Sequence, residues 1–228
     1  MSDTRTNAGV DDISQVRKMR SWHMPGERVI TLMSAGNLAT TQAVVSLLDE
    51  RTKAPEDRHP SILYAPSMFQ VATIIGETLR RIVMRYGAEG PGADSIFRAS
   101  LIVGGQIRGA EPRLFLIYPE GNFIEAGEDN PFFQIGETKY GRPIIVRSYH
   151  PALSFEEAVK LLCVSFDSTI QANAGVDLPI DLKVHERDDF ASVRERRFER
   201  DDSYYRSVAN GWAEALGMAL AELPDFRF

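Results

Sequence analysis

The residues best suited to chemistry crowd the start of the chain. Residues Met1 to Lys18, reading Met-Ser-Asp-Thr-Arg-Thr-Asn-Ala-Gly-Val and on to Arg17-Lys18, are rich in small polar and charged side chains. Asp3, Arg5, Thr6, Asn7 and Gly9 put a carboxylate, a guanidinium, a hydroxyl, an amide and a flexible backbone position within a few residues. By type alone, Asp3 and Arg5 would form an ion pair at a strand end, which contributes little in water. Lys18 beside Arg17 would be a solvated basic pair. The cluster nevertheless reads as the interior of a motif and not the approach to one. It therefore predicts further residues of that motif ahead of Met1.

Other reactive residue types do not form constellations. His23, His59, His150 and His185 lack metal-ligand spacing and read as loop or surface residues. Cys163 falls on the apolar face of a predicted helix with Val159 and Phe166, so it reads as core. Gly104-Gly105 and Gly136-Glu137-Thr138 are too short for phosphate loops.

The elements that must position the cluster follow from apolar periodicity. Arg28 to Ser34 reads as a strand after the Pro25-Gly26 turn, and Ala35-Gly36-Asn37 leads into a helix with Leu38, Val44, Val45 and Leu48 on one face. Glu50 to Pro60 reads as a loop. Ser67 would cap a second helix from Met68 to about Arg85, with Met68, Val71, Ile75, Leu79 and Ile82 as its stripe. Ala99–Ile107, Pro112–Tyr118 and Phe123–Glu125 read as hairpin strands, with Phe132–Ile135 a further apolar run. Ser154 and Glu157 form a capping box opening a helix to Asn173, and Leu178 to His185 is strand-like. Glu186 to Asp202 reads as a solvated charged face or subunit contact, followed by an amphipathic helix over Tyr204–Leu223. Adjacent strands and paired helices indicate α+β layers, not βαβ alternation.

Bulk properties narrow the function. The 228 residues can bury a proper core as a single domain over 1–228. A formal charge of −6 argues against nucleic acid as the main partner. The sequence has no membrane-spanning apolar run and no basic-then-apolar leader at Met1. One cysteine excludes an internal disulfide and fits a reducing, cytoplasmic setting.

Three passages together resemble the bacterial proteasome-like peptidase family called Anbu, a relative of proteasome β-subunits. They are Ser2-Asp3-Thr4-Arg5-Thr6-Asn7-Ala8-Gly9 with Arg17-Lys18-Met19, then Met33-Ser34-Ala35-Gly36-Asn37-Leu38-Ala39-Thr40-Thr41-Gln42, and more loosely Phe166-Asp167-Ser168-Thr169 through Leu178-Pro179-Ile180-Asp181-Leu182. The resemblance implies a four-layer αββα sandwich of N-terminal-nucleophile hydrolase type. It also implies a threonine-type peptidase acting on peptides or unfolded chains, assembled with itself as a ring or spiral. It calls for no cofactor, metal, nucleic acid or membrane, and leaves open whether an ATPase partner is used.

In that family the nucleophile is the hydroxyl of an N-terminal threonine, and its own α-amine is the local base. The resemblance makes Lys18 the ammonium that favours the anionic hydroxyl, Asp3 the carboxylate that holds it, and Arg5 a support of that geometry. Gly36 would offer its N–H to the oxyanion. Thr6, Asn7 and Ala8 would pair with an extended substrate, with Ser34 and Gln42 in the pocket wall. Glu137 or Thr138 would approach the nucleophile's amine.

The family begins with two short strands, about fifteen residues, ahead of the position of Ser2. These, with the threonine, are expected to be absent here, which would leave this form inactive. Ser2 abuts Asp3 and makes a poor substitute nucleophile. The alternative is a non-catalytic structural subunit of a proteasome-like oligomer.

Overall fold

The computed structural model describes residues 1–7, 13–53, 60–87, 97–192 and 194–227, with backbone only at 7, 13 and 14. The first strands are short: β1 (Ser2–Asp3), β2 (Arg5–Asn7), β3 (Ile13–Gln15) and β4 (Met19–Met24). Then come β5 (Arg28–Gly36), α1 (Leu38–Lys53), α2 (Met68–Gly87) and the meander β6 (Ala99–Ile107), β7 (Arg113–Ile117), β8 (Phe123–Glu125). The remainder is α3 (Arg142–Ser148), α4 (Phe155–Ala172), β9 (Ile180–Val184), β10 (Arg194–Phe198) and α5 (Ser203–Ala221).

Two antiparallel sheets dominate. One has the order β4-β5-β6-β7-β8, the other β1-β9-β10, and β2-β3 forms a separate ribbon. The five-stranded sheet carries α1 and α2. Its Ile30, Leu32, Leu101, Val103 and Phe115 interleave with Val44 and Leu48 of α1 and with the whole predicted α2 stripe. Each of those five α2 residues is at most 4% exposed, as an i, i+3/i+4 pattern facing a sheet requires. The three-stranded sheet carries α4 and α5 through Cys163, Ile180, Phe198 and Tyr205. The layers therefore run helices, sheet, sheet, helices: the mixed αββα sandwich expected from the sequence.

The capping box holds as read. Ser154 Oγ accepts from Glu157 N at 3.1 Å, and Ser154 N donates to Glu157 Oε2 at 2.9 Å. The Pro119–Asn122 turn is likewise closed, by Gly121 N to the Tyr118 carbonyl.

Three expectations need correction. Glu50 does not begin a loop, because α1 runs on to Lys53. Phe132–Ile135 forms no strand; its side chains line a cleft instead. Glu186–Asp202 is more than a solvated face, since it contains β10 and buries Phe190 and Phe198. Charge on four consecutive positions of β10, Arg194 to Arg197, masked the strand.

The same region revises His23 and gives the loop residue His185 a structural partner. His23 lies in β4 and bonds the Phe190 carbonyl at 2.8 Å, and His185 bonds Gln106 Oε1 at 3.2 Å. Gln106, buried in β6, also exchanges hydrogen bonds with Asp188, so these groups clip the 186–192 loop to the five-stranded sheet. His150 is an exposed loop residue, and His59 lies outside the described residues.

Candidate active site

Two adjacent ladders bring Asp3 and Lys18 together. Asp3 pairs with Ile180 at the edge of the three-stranded sheet. Lys18 leads into β4, where its carbonyl accepts Ser34 N at 3.0 Å and Ser34 Oγ at 3.3 Å, so β5 fixes its backbone. Val16 N donates to the Thr4 carbonyl at 2.7 Å and ties the two strand ends. With both backbones set, Lys18 Nζ reaches Asp3 Oδ1 at 2.8 Å and Oδ2 at 3.0 Å. Arg5 N adds a hydrogen bond to Oδ2 at 3.2 Å. The side chains are 22% and 12% exposed, so the pair is largely desolvated. Burial pushes the Asp3 carboxyl above its ordinary 3.8, and the Lys18 charge and hydrogen bonds pull the other way.

Arg5 has a partner that sequence reasoning missed. Its Nη1 donates to Asp177 Oδ2 at 2.8 Å, an oxygen that Arg200 also bonds. Asp177 Oδ1 in turn accepts Leu178 N at 2.8 Å, and Thr4 Oγ1 donates to the Pro179 carbonyl at 3.0 Å. The α4–β9 corner is thus bolted to the segment that carries Asp3. The one signal available in the sequence was a lone acid, Asp177, between a helix end and Leu178-Pro179.

Gly36 ends β5 at φ +108°, a region that disfavours side chains, and an added Cβ would lie 2.5 Å from the Arg98 carbonyl oxygen. Asn37 then caps α1 by accepting Thr40 N at 2.9 Å. A sharp backbone turn with a close neighbour permits only glycine here.

These groups border one cleft of about 1360 Å³ between the two sheets. Asp3, Arg5, Thr6, Lys18, Ser34, Gly36 and Gln42 all line it. Thr6 and Asn7 pair with β3 on one side only, which leaves the other edge of β2 outside any ladder among the described residues. Ala8 and Gly9 lie outside the described residues. Glu137 also lines the cleft, its carboxylate fixed by Lys139 N at 2.8 Å and Asn173 Nδ2 at 2.7 Å. The Lys139 hydrogen bond, followed by that from Asn173, holds its carboxyl below the usual range. Thr138 is absent from the cleft lining.

The hydroxyls nearest the pair are committed elsewhere. Ser2 Oγ donates to the Asp3 carbonyl at 3.1 Å and its backbone pairs with Asp181, while Thr4 is fully buried. Cys163 sits in the core, its thiol pushed up to about 11 by burial. No described group of three or more acid, histidine or cysteine side chains is placed to hold a metal. Among the described residues no helix is long and apolar enough to cross a membrane. What the site offers chemically is a positioned ammonium at the margin of an open cleft, suited to stabilising an anionic oxygen.

Neither a family model nor a curated protein matches the chain. Solved structures do. Anbu (ancestral beta-subunit) from Yersinia bercovieri is 44% identical, with a TM-score of 0.92 over 100% of this chain and 94% of that one. Anbu from Hyphomicrobium sp. strain MC1 is 47% identical, with a TM-score of 0.89 over 100% and 94%. The helical assembly of the Anbu complex from Pseudomonas aeruginosa is 40% identical, with a TM-score of 0.91 over 99% and 92%. Identity of this order across nearly the full length of both chains is family-level likeness, and the chain belongs to the Anbu family of bacterial proteasome-like proteins.

Proposed function

We infer that this chain is a cytoplasmic subunit of a proteasome-like, threonine-type peptidase that assembles with copies of itself and cleaves peptides or unfolded chains. The observation that carries the reading is the Asp3–Lys18 pair, largely desolvated and at the margin of the same cleft as Gly36. A lysine whose charge is fixed by a carboxylate lowers the cost of ionising a neighbouring hydroxyl. A threonine α-amine titrates near neutral pH and can take that hydroxyl's proton. The Gly36 backbone N–H would bond the oxyanion of the tetrahedral intermediate, and the open edge of β2 would align an extended substrate. Helical assembly of the Pseudomonas aeruginosa relative supports the self-association.

Ser2 and Thr4 use their hydroxyls on backbone carbonyls, so neither supplies the free nucleophile that this reading requires. The second reading is a structural, non-catalytic subunit, supported by the same commitment of both hydroxyls to backbone carbonyls. The coding DNA upstream of Met1 separates these readings. An in-frame Met-Thr followed by two strand-like segments supports the peptidase, and an in-frame stop directly before Met1 overturns it. Given the extension, fluorogenic-peptide cleavage should vanish in Lys18→Met; persistent cleavage would reject the role given to Lys18.

A further inference from the structure

The two sheets that wall the cleft are joined at one end by a side-chain clasp. Gln106 of β6 is 1% exposed, and both ends of its amide are fully used. Its Nε2 donates to the Ala110 carbonyl at 2.8 Å and to Asp188 Oδ1 at 2.7 Å, and its Oε1 accepts Asp188 N at 2.8 Å. Those partners fix which end of the amide is which, so His185 Nε2, 3.2 Å from Oε1, carries a proton and donates it. The Phe190 carbonyl accepts Gly26 N at 3.1 Å and His23 Nε2 at 2.8 Å, so His23 also donates from Nε2. Each ring thus holds its contact as the neutral tautomer with Nδ1 bare.

The clasp lies directly beyond the cleft. His23 follows the cleft-lining Ser21 by two positions, Gln106 follows Ile102 by four and His185 follows Asp181 by four, so each keeps the inward alternation of its strand. The His185 ring is faced by Lys183 from β9, His23 from β4, Gln106 from β6, and Asp188, Asp189 and Phe190 from the loop. Both acids are engaged: Asp188 Oδ1 holds Gln106, and Asp189 accepts the Ser192 hydroxyl and the N–H groups of Ala191 and Ser192. The Lys183 side chain is 4% exposed, with Glu195 at 3.4 Å. A proton on His185 Nδ1 therefore sets a second cation beside a lysine already cut off from water.

We propose that the His23–Gln106–His185 clasp is an acid-released joint: it holds the 186–192 loop to the five-stranded sheet at neutral pH, and protonation of His185 frees the loop and opens that end of the space between the sheets. Burial, then the Lys183 charge, holds the His185 imidazole below its ordinary 6.5. The closed form keeps its full stability above 6.5 and loses it as pH falls through the closed value. The joint is independent of the peptidase reading.

The test is amide hydrogen exchange of the whole chain, read by mass spectrometry and corrected for the intrinsic effect of pH, for wild type, His185→Gln and His150→Gln. The first variant keeps an N–H for Gln106 and cannot titrate, and the second removes an exposed loop imidazole as a control. Wild type and the control should lose at least about tenfold in protection over 186–192 between about pH 7.5 and about pH 5.5, and His185→Gln less than about twofold. Wild-type protection that ignores pH overturns the joint, as does equal loss in β5 and β6 or acid opening of His185→Gln. If His185→Gln leaves the loop unprotected already at neutral pH, wild type decides: its opening midpoint must match the nuclear magnetic resonance titration of the His185 ring, and a mismatch overturns the joint.

Discussion

Replacing Lys18 with methionine keeps the bulk of the side chain and removes its charge, leaving Asp3 as a carboxylate with a side chain only 12% exposed and one remaining donor, Arg5 N. An orphaned, fully buried charge costs about 3–5 kcal/mol. Lys18 is 22% exposed and water can reach part of the pair, so we take about half, about 2 kcal/mol. For a chain of this size that lowers the melting temperature by about 4–8 °C. Asp3→Asn with Lys18→Met removes both charges and should cost less than Lys18→Met alone, giving a coupling of about 1–2 kcal/mol.

The pH dependence follows from the same carboxyl. Its folded value lies above 3.8, so the native state binds this proton more readily than the unfolded chain. Stability from this group is present below 3.8 and is lost as pH rises through the folded value. Without Lys18 that window extends upward, and the penalty of Lys18→Met should shrink between about pH 7 and about pH 4. Urea unfolding followed by circular dichroism, at both pH values, measures every term. Additive single and double variants, or a pH-independent penalty, would refute a coupled, desolvated pair.

Gly36→Ala places a Cβ 2.5 Å from a backbone oxygen at φ +108°, and should destabilise by about 1–3 kcal/mol in thermal unfolding. Asp177→Asn leaves Arg5 and Arg200 with one weaker, neutral acceptor, and should cost about 1–3 kcal/mol in urea unfolding. That loss should shrink without vanishing when Arg5→Met is the background, because Arg200 still bonds the same Asp177 oxygen.

The sequence made the local parts of this molecule readable and hid the joins. The α2 stripe and the Ser154–Glu157 box are sequence-adjacent patterns, and each appears where periodicity put it. Asp3 and Lys18 were legible through resemblance, since by type alone Asp3 paired with Arg5 and Lys18 was a solvated neighbour of Arg17. Asp177 was not legible, because nothing near it in sequence reveals that Arg5 is its partner. Strand β10 was hidden because Arg194, Glu195, Arg196 and Arg197 put charge on both of its faces and erase the alternation that marks a strand. Helix α3 went unread because Arg142–Ser148 is too short to show a period.

The bond from Arg5 to Asp177 closes a loop of 172 positions along the chain, and β1 waits for β9 in the same way. A ribosome adds about 5–20 residues per second, so the first residues emerge about ten to thirty seconds before their partners exist. Lys18 and Asp3 can meet early, but the corner that seats them arrives only after α4, with β10 and α5 still to follow. If these residues serve a peptidase, its order of synthesis leaves the site unseated until the chain has been made through α4 and β9.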